Sequence, residues 1–295
     1  MPPYRPIISY DTSAINRLLN DPDSSALVSI LKSRYYTRIT STNIEEIIAN
    51  SNIHRRQQLR DFIKPLAATG ECIQPYHWIV QRLLRLHASG EDYHWRHQDI
   101  RFVSALNFVL GDEPVSEKLS EKQRKEVGQL EDRFIGFFEG ERWKFERFFK
   151  TGGTRPQTYS EMLQLIKVES GSFWALASVI YHSATGKSLS LNKAKEFLDS
   201  CPAARALVMA VCMAQFERSV RDLKTALSYR AGRFDLLCTV YLCYCDLFIS
   251  ADKRQCNALG AIAEAGNLRA KVVYYPDFRR RVFPFSSFTT KSLPL

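Results

Sequence analysis

Acidic residues recur in this chain where a short apolar run stops. Asp11 closes the β-prone start of "PIISYDTSAINRLL", and Asp235 and Asp252 bracket the apolar run in "FDLLCTVYLCYCDLFISADKRQ". Glu46 lies two turns into the helical pattern of "STNIEEIIANS", with Glu45 beside it as the alternative for the same position. A lone buried carboxylate is costly unless something pairs with it. Four acids gathered at one rim would repel one another, and some would stay protonated. A hard divalent cation, Mg²⁺ or Mn²⁺, removes that conflict, because such ions prefer carboxylate and water oxygens. The chemistry this pattern points to is a metal centre assembled from distant parts of the chain.

Such a centre needs elements that bring both ends of the chain together. Residues 7–10 read as a strand and 12–19 as a helix. "SALVSILKSR" reads as a second helix behind the capping candidates Asp23 and Ser24, and "YYTRIT" as a second strand. "STNIEEIIANS" opens with capping residues, and "HRRQQLRDFIKPL" is a further helix expected to end near Pro65. Alternation of this kind predicts an α/β fold with a parallel sheet. Residues 76–228 then carry helical spacing throughout, broken at turn-like stretches such as "GDEPVS" and "TGGTRPQT". The α/β pattern resumes with a helix from Asp235, the strand "DLFIS", the helix "DKRQCNALGAIAEAG" and the strand "AKVVYY", before an irregular basic tail. The expected organisation is therefore an α/β core in two parts, 1–75 and 229–295, interrupted by an all-helical insertion, 76–228. In such sheets ligands bind at the carboxyl ends of the strands, which is where the four acids fall.

"DTSAINRLL", "TSTNIEEII", "FDLLCTVYLCYCDLFISADKRQ" and "AKVVYY" resemble the PIN-domain nucleases over roughly 120 residues of the two flanks. The resemblance implies a PIN-like, Rossmannoid core. Its acids would be Asp11 after the first strand, Glu46 after the second, Asp235 heading the helix before the next strand, and Asp252 in the Ser250-Ala251-Asp252 turn. It implies Mg²⁺- or Mn²⁺-dependent hydrolysis of RNA phosphodiesters, the ions activating water and offsetting charge on the phosphate. Ser13 and Ser250 would hydrogen-bond to the ligands or their waters, and Asp246 is a weaker supporting candidate. Lys253, Arg254, Arg55 and Arg56 would meet substrate phosphate. Members of the family serve as toxins, in defence or in RNA processing, so an inhibitory protein partner or a homo-oligomer is also implied. The long helical insertion departs from the compact family pattern.

Composition agrees with a polyanion partner. Forty-one Lys and Arg against 31 Asp and Glu leave a net charge of +10. The seven cysteines form no CxxC pair, which suits small buried side chains in a reducing cytosol better than a zinc or disulfide framework. No signal pattern and no long uncharged apolar run are present, so the expected location is cytoplasmic and away from membranes. Asp11 or Asp235 taken singly would serve as a helix cap. "RFIGFFEGERWKFERFFK" (133–150) reads as a core helix face before an RNA-stacking surface. His87, His94 and His97 match no common zinc spacing. "TGKS" (185–188) lacks the upstream glycine of a phosphate loop, and "DTSAIN" lacks the glycine-rich turn of a dinucleotide binder. The rival readings are a catalytically silent RNA- or protein-binding scaffold on the same fold and a structure-specific DNA nuclease.

Overall fold

A computed structural model of the chain describes residues 4–68, 70–93, 100–111, 113–129, 132, 136, 158–168, 170–220 and 236–283. Five parallel strands form one sheet in the order β3-β2-β1-β4-β5: β1 (Ile7–Tyr10), β2 (Tyr36–Thr40), β3 (Glu71–Ile73), β4 (Leu247–Ser250) and β5 (Lys271–Tyr274). Ile8 sits level with Thr37 on one side and Leu247 on the other, which brings the two ends of the chain into adjacent strands.

The helices divide between the two faces as the pleat of the strands dictates. Ile8, Tyr10, Ile39, Cys72, Ile249 and Val273 point to one core. That core is shared with α1 (Thr12–Leu19), α2 (Ser24–Arg34), α3 (Ser41–Ala49), α4 (Ile53–Ala67) and α6 (Val103–Leu110). Ile73 and Phe248 point to the other core, beside α5 (Tyr76–Ser89). The described part of α7 runs over 117–129. Then α8 (Tyr159–Val168), α9 (Ser170–Thr185), α10 (Leu191–Ser200), α11 (Pro202–Val220) and α12 (Lys253–Ala265) complete the second face. The helical region between β3 and β4 thus packs on the sheet itself and shares its core with α12. No single described helix is long and apolar enough to cross a membrane.

Four local features differ from the sequence expectation. β3 went unread, because three residues carry no alternation. Pro65 lies inside α4, which continues to Ala67. The apolar run before β4 forms a 3-10 segment, Cys238–Tyr244, where an α-helix was expected. The start of the tail is helical as α13 (Tyr275–Val282), which buries Tyr275, Phe278 and Val282 on the first face. The 133–150 stretch, His94, His97 and the tail beyond 283 lie outside the described residues.

Topology opens a crevice at one place. From β1 the chain winds outward through β2 to β3 with α1–α4 on the first face, whereas β4 winds the other way to β5 through α12 on the second face. Right-handed crossovers running in opposite directions must lie on opposite faces. The helices leaving β1 and β4 therefore diverge, and the gap between them is the switch point where ligands bind such sheets.

Candidate metal and phosphate site

Asp11 ends β1 and begins α1, and the ladder continues through it, its N–H donating to the Ile249 carbonyl at 2.9 Å. Its Oδ1 accepts the Ala14 N–H at 2.7 Å and so caps α1. Its Oδ2 accepts two hydroxyls, Ser13 at 2.7 Å and Ser250 at 2.8 Å. Ser13 in turn accepts the Ala251 N–H at 3.0 Å, which ties the first turn of α1 to the end of β4.

Ser250 is fully buried and is the joint between the two acidic turns. Its oxygen accepts the Asp252 N–H at 3.0 Å and lies 2.5 Å from Gln255 Oε1, while Gln255 Nε2 has no partner. A hydroxyl has one proton to give. With the Gln255 amide turned so that its NH₂ donates to Ser250, the proton goes to Asp11 and the oxygen accepts from Gln255 and Asp252. Asp252 caps α12, its Oδ1 accepting the N–H groups of Arg254 at 2.7 Å and Gln255 at 3.1 Å.

Glu46 reaches the same rim from α3. The start of α3 is fixed by a capping box between Thr40 and Asn43. The Asn43 amide also donates to the Tyr10 carbonyl at 3.1 Å and to Thr12 Oγ1 at 3.2 Å, locking α3 against the end of β1. Thr12 favours the charged form of Glu46, and the carboxylate feels the Asp11 charge.

Burial lifts the Asp11 carboxyl above the usual range, against the pull of bonds from Ser13, Ala14, Ser250 and Ala251. Glu46 is exposed at its surface, and the protein packed around it raises its carboxyl, with Thr12 opposing the rise and Asp11 adding to it. Glu45 is pushed up to about 7 by burial, then by the charges of Glu46 and Glu126. None of the three forms an ion pair with a described cation.

This donor set suits a hard divalent ion, being all oxygen, negatively charged and uncompensated. Glu46 feels the Asp11 charge, and Asp252 is joined to Asp11 through the Ser250 hydroxyl. Asp235 lies outside the described residues. Among the described residues, no group of three or more His, Cys, Asp or Glu is arranged to hold a metal.

Two expected contributors stand elsewhere. Asp246 precedes β4, so it sits at the amino rim, opposite the acidic turns. There it accepts the Ile7 N–H at 2.7 Å and pairs with Arg269 at 2.6 Å, which removes it from any supporting role. Arg56 is 1% exposed, paired with Glu117 at 2.7 Å and bonded to the Asn50 carbonyl at 2.9 Å, leaving nothing to offer a phosphate. Arg55, one residue earlier and about 100° round α4, faces out. It lines an open cleft of about 580 Å³ with Ser13, Asn16, Arg17, Asn20, Asp252 and Lys253. Arg254 does not line it. Sequence reasoning missed Asn16 and Asn20, whose i,i+4 spacing beyond Asp11 was the available signal, and missed Asn43 and Gln255, whose bonds are long-range or inward.

Scans against protein-family models, curated proteins and solved structures find no match.

Proposed function

We propose that the chain is a PIN-like, Mg²⁺- or Mn²⁺-dependent ribonuclease whose centre lies at the carboxyl rim between β1 and β4. The observation that carries this reading is the linkage of Asp11 and Asp252 through the buried Ser250 hydroxyl at the sheet's switch point, with Glu46 close enough to feel the Asp11 charge. A divalent ion held there supplies Lewis-acid chemistry, activating water and offsetting charge on a phosphate. Asp11 and Glu46 would hold it, with Asp252 and Asp235 completing the acidic set. Ser13 and Ser250 aim Asp11 Oδ2. The net charge of +10 favours an RNA substrate by drawing polyanions to the surface.

The absence of a three-ligand cluster among the described residues favours a second reading, a silent RNA- or protein-binding scaffold. Labelled single-stranded RNA, single-stranded DNA and branched DNA, incubated with Mg²⁺ or Mn²⁺, separate the possibilities. The nuclease reading expects RNA cleavage that EDTA stops and that Asp11→Asn lowers by about 10²-fold or more, the scale at which a group stabilising transition-state charge contributes. RNA bound but left intact under all metal conditions would establish the scaffold instead, and preferential cutting of branched DNA would move the substrate class. Partner proteins and self-association belong to the same proposal and are read by size-exclusion light scattering.

A further inference from the structure

The cleft beside the acidic rim has a charge pattern that the metal centre does not explain. Its walls carry three cations, Arg17, Arg55 and Lys253, and no ion pair to a described carboxylate involves any of them. Arg55 is held by neutral oxygens alone: Asn16 Oδ1 at 2.7 and 3.2 Å, Asn20 Oδ1 at 3.2 Å and Gln58 Oε1 at 3.4 Å. Amide oxygens fix the guanidinium plane without cancelling its charge, so its order is already paid for before an anion arrives. These bonds use four of its five N–H donors, so Arg55 offers a phosphate its fixed, uncancelled charge and one remaining Nη2–H.

Position gives this charge a direction. Ser13 and Asp252 form the end of the cleft at the acidic rim, and Asn16 and Asn20 lie farther along α1, roughly 4.5 and 10 Å of helix rise beyond Ser13. Among the described residues no aromatic side chain lines the cleft, so none of them stacks on a base there. It is open along its length, whereas a free nucleotide is gripped by an enclosing pocket.

We infer that Arg55, set by Asn16 and Asn20 and joined by Arg17 and Lys253, is a phosphate clamp that holds the backbone of a single-stranded polynucleotide beside the acidic rim without reading its bases. The inference deepens the ribonuclease reading and rests on it for the direction of the strand, while the clamp itself is measurable without cleavage.

Fluorescence anisotropy of 5′-labelled 12-mers of oligo(rA) and oligo(rU), on metal-free protein in EDTA, tests it. Arg55→Ala is expected to weaken both oligomers by the same factor, about tenfold. It should also lower the slope of log affinity against log salt by about 0.7, one phosphate contact on a single strand. Lys253→Ala, at an exposed position that leaves α12 capped by Asp252, should do the same more weakly; it keeps the test valid if removing Arg55 impairs folding. Arg55→Lys should keep the slope and lose part of the affinity, because the charge stays while the amide bonds that fix the guanidinium go. Unchanged affinity and slope in both alanine variants would overturn the clamp. So would loss for one oligomer alone, which means base readout, or inorganic phosphate competing as well as a 12-mer, which means an isolated anion pocket. Clamp behaviour without cleavage would sink the ribonuclease reading and spare the clamp; cleavage and binding indifferent to Arg55 and Lys253 would do the reverse.

Discussion

Ser250→Ala isolates the joint of the rim, because one buried hydroxyl serves Asp11, Asp252 and Gln255 together. The alanine removes a hydrogen bond to a carboxylate, worth about 1.5–3 kcal/mol, and leaves the buried Gln255 amide without its partner, at a further cost of about 1–3 kcal/mol. Part of the second cost is recovered if the amide swings toward solvent, so the net loss should be about 2–4 kcal/mol. For a chain of 295 residues that lowers the thermal midpoint by roughly 3–7 °C. Urea and thermal melts of the metal-free protein measure it. Gln255→Leu together with Ser250→Ala should cost less than the two single losses added, because removing both ends of a bond leaves nothing buried and unpaired. The same hydroxyl aims Asp11 Oδ2, so Mn²⁺ affinity by calorimetry should fall by about tenfold or more, as it does when a ligand's orienting partner is lost. Ser13→Ala, half-buried and with Ser250 still in place, should lose less on both counts. A Ser250→Ala protein within about 0.5 kcal/mol of wild type, typical of a surface change, with unaltered Mn²⁺ affinity would refute this account of the rim.

Other parts of the fold give sharp outcomes. Glu71 is nearly enclosed between the buried guanidinium of Arg38 and that of Arg101, so Glu71→Gln strands a buried charge. It should cost about 3–5 kcal/mol in urea melts, and a loss under about 1 kcal/mol would mean the pair is not buried in solution. A Cβ on Gly70 would lie 1.7 Å from the Thr37 carbonyl oxygen, so Gly70→Ala must push β3 off β2. We expect a loss of about 2 kcal/mol or more by the same melts, the scale of an overpacked contact. Burial alone would raise Asp21 and Asp246, yet both are held below the usual carboxylate range. Arg279, the Asp23 N–H and Tyr275 act on Asp21; Tyr4, the Ile7 N–H and Arg269 act on Asp246. A depressed folded value means stability that is present above the unfolded value of about 3.9 and lost as pH falls through the folded one. Urea midpoints should therefore drop between pH 4 and 3, and less steeply in Asp246→Asn; equal slopes in the two proteins would exclude Asp246 from that loss.

How much of this was legible follows from where each signal resides. Asp11 and Asp252 could be placed because a carboxylate directly after a parallel strand must lie at its carboxyl rim, and periodicity located β1 and β4. The same rule placed Asp246 at the other rim, since it precedes "LFIS"; nearness to a strand was read without asking which end. Arg55 and Arg56 look alike in "HRRQQLR", but Arg56, Leu59, Arg60 and Ile63 follow the buried spacing of α4. Arg60 lies in the core because it donates to the carbonyls of Phe108, Gly111 and Glu113, partners nearly fifty residues or more away. No local pattern reveals such a partner. β3 is held by pairing with β2 and by a bridge from Ile73 to Arg101, both long-range, so three residues of strand left no trace in the sequence. In α13 three consecutive arginines hid the apolar spacing of Tyr275, Phe278 and Val282.

The position of the helical region follows from the strand order rather than from the chemistry. After β3, at one edge, the chain must pass β2 and β1 to reach β4, about 14 Å across three strand spacings. The first face is covered by α1–α4 and α13, with α6 of the return itself filling its remaining edge, so the rest of the return runs over the second face, which would otherwise expose Phe248 and the inner side of α12. A long insertion at this connection adds little closure cost, because loop entropy grows slowly with length, and it gains a sheet face to bury. It meets the rim at one buried point: Tyr241 Oη lies 3.1 Å from Ser41 Oγ and accepts the Tyr76 N–H at 3.1 Å, joining the 3-10 segment and α5 to the start of α3. Because α3 carries Glu46, and α12, capped by Asp252, shares the core of the helical layer, packing there is coupled to both acids, while Asp11 is set by β1 and α1 on the first face. Changes deep in that layer should therefore disturb Glu46 and Asp252 before Asp11.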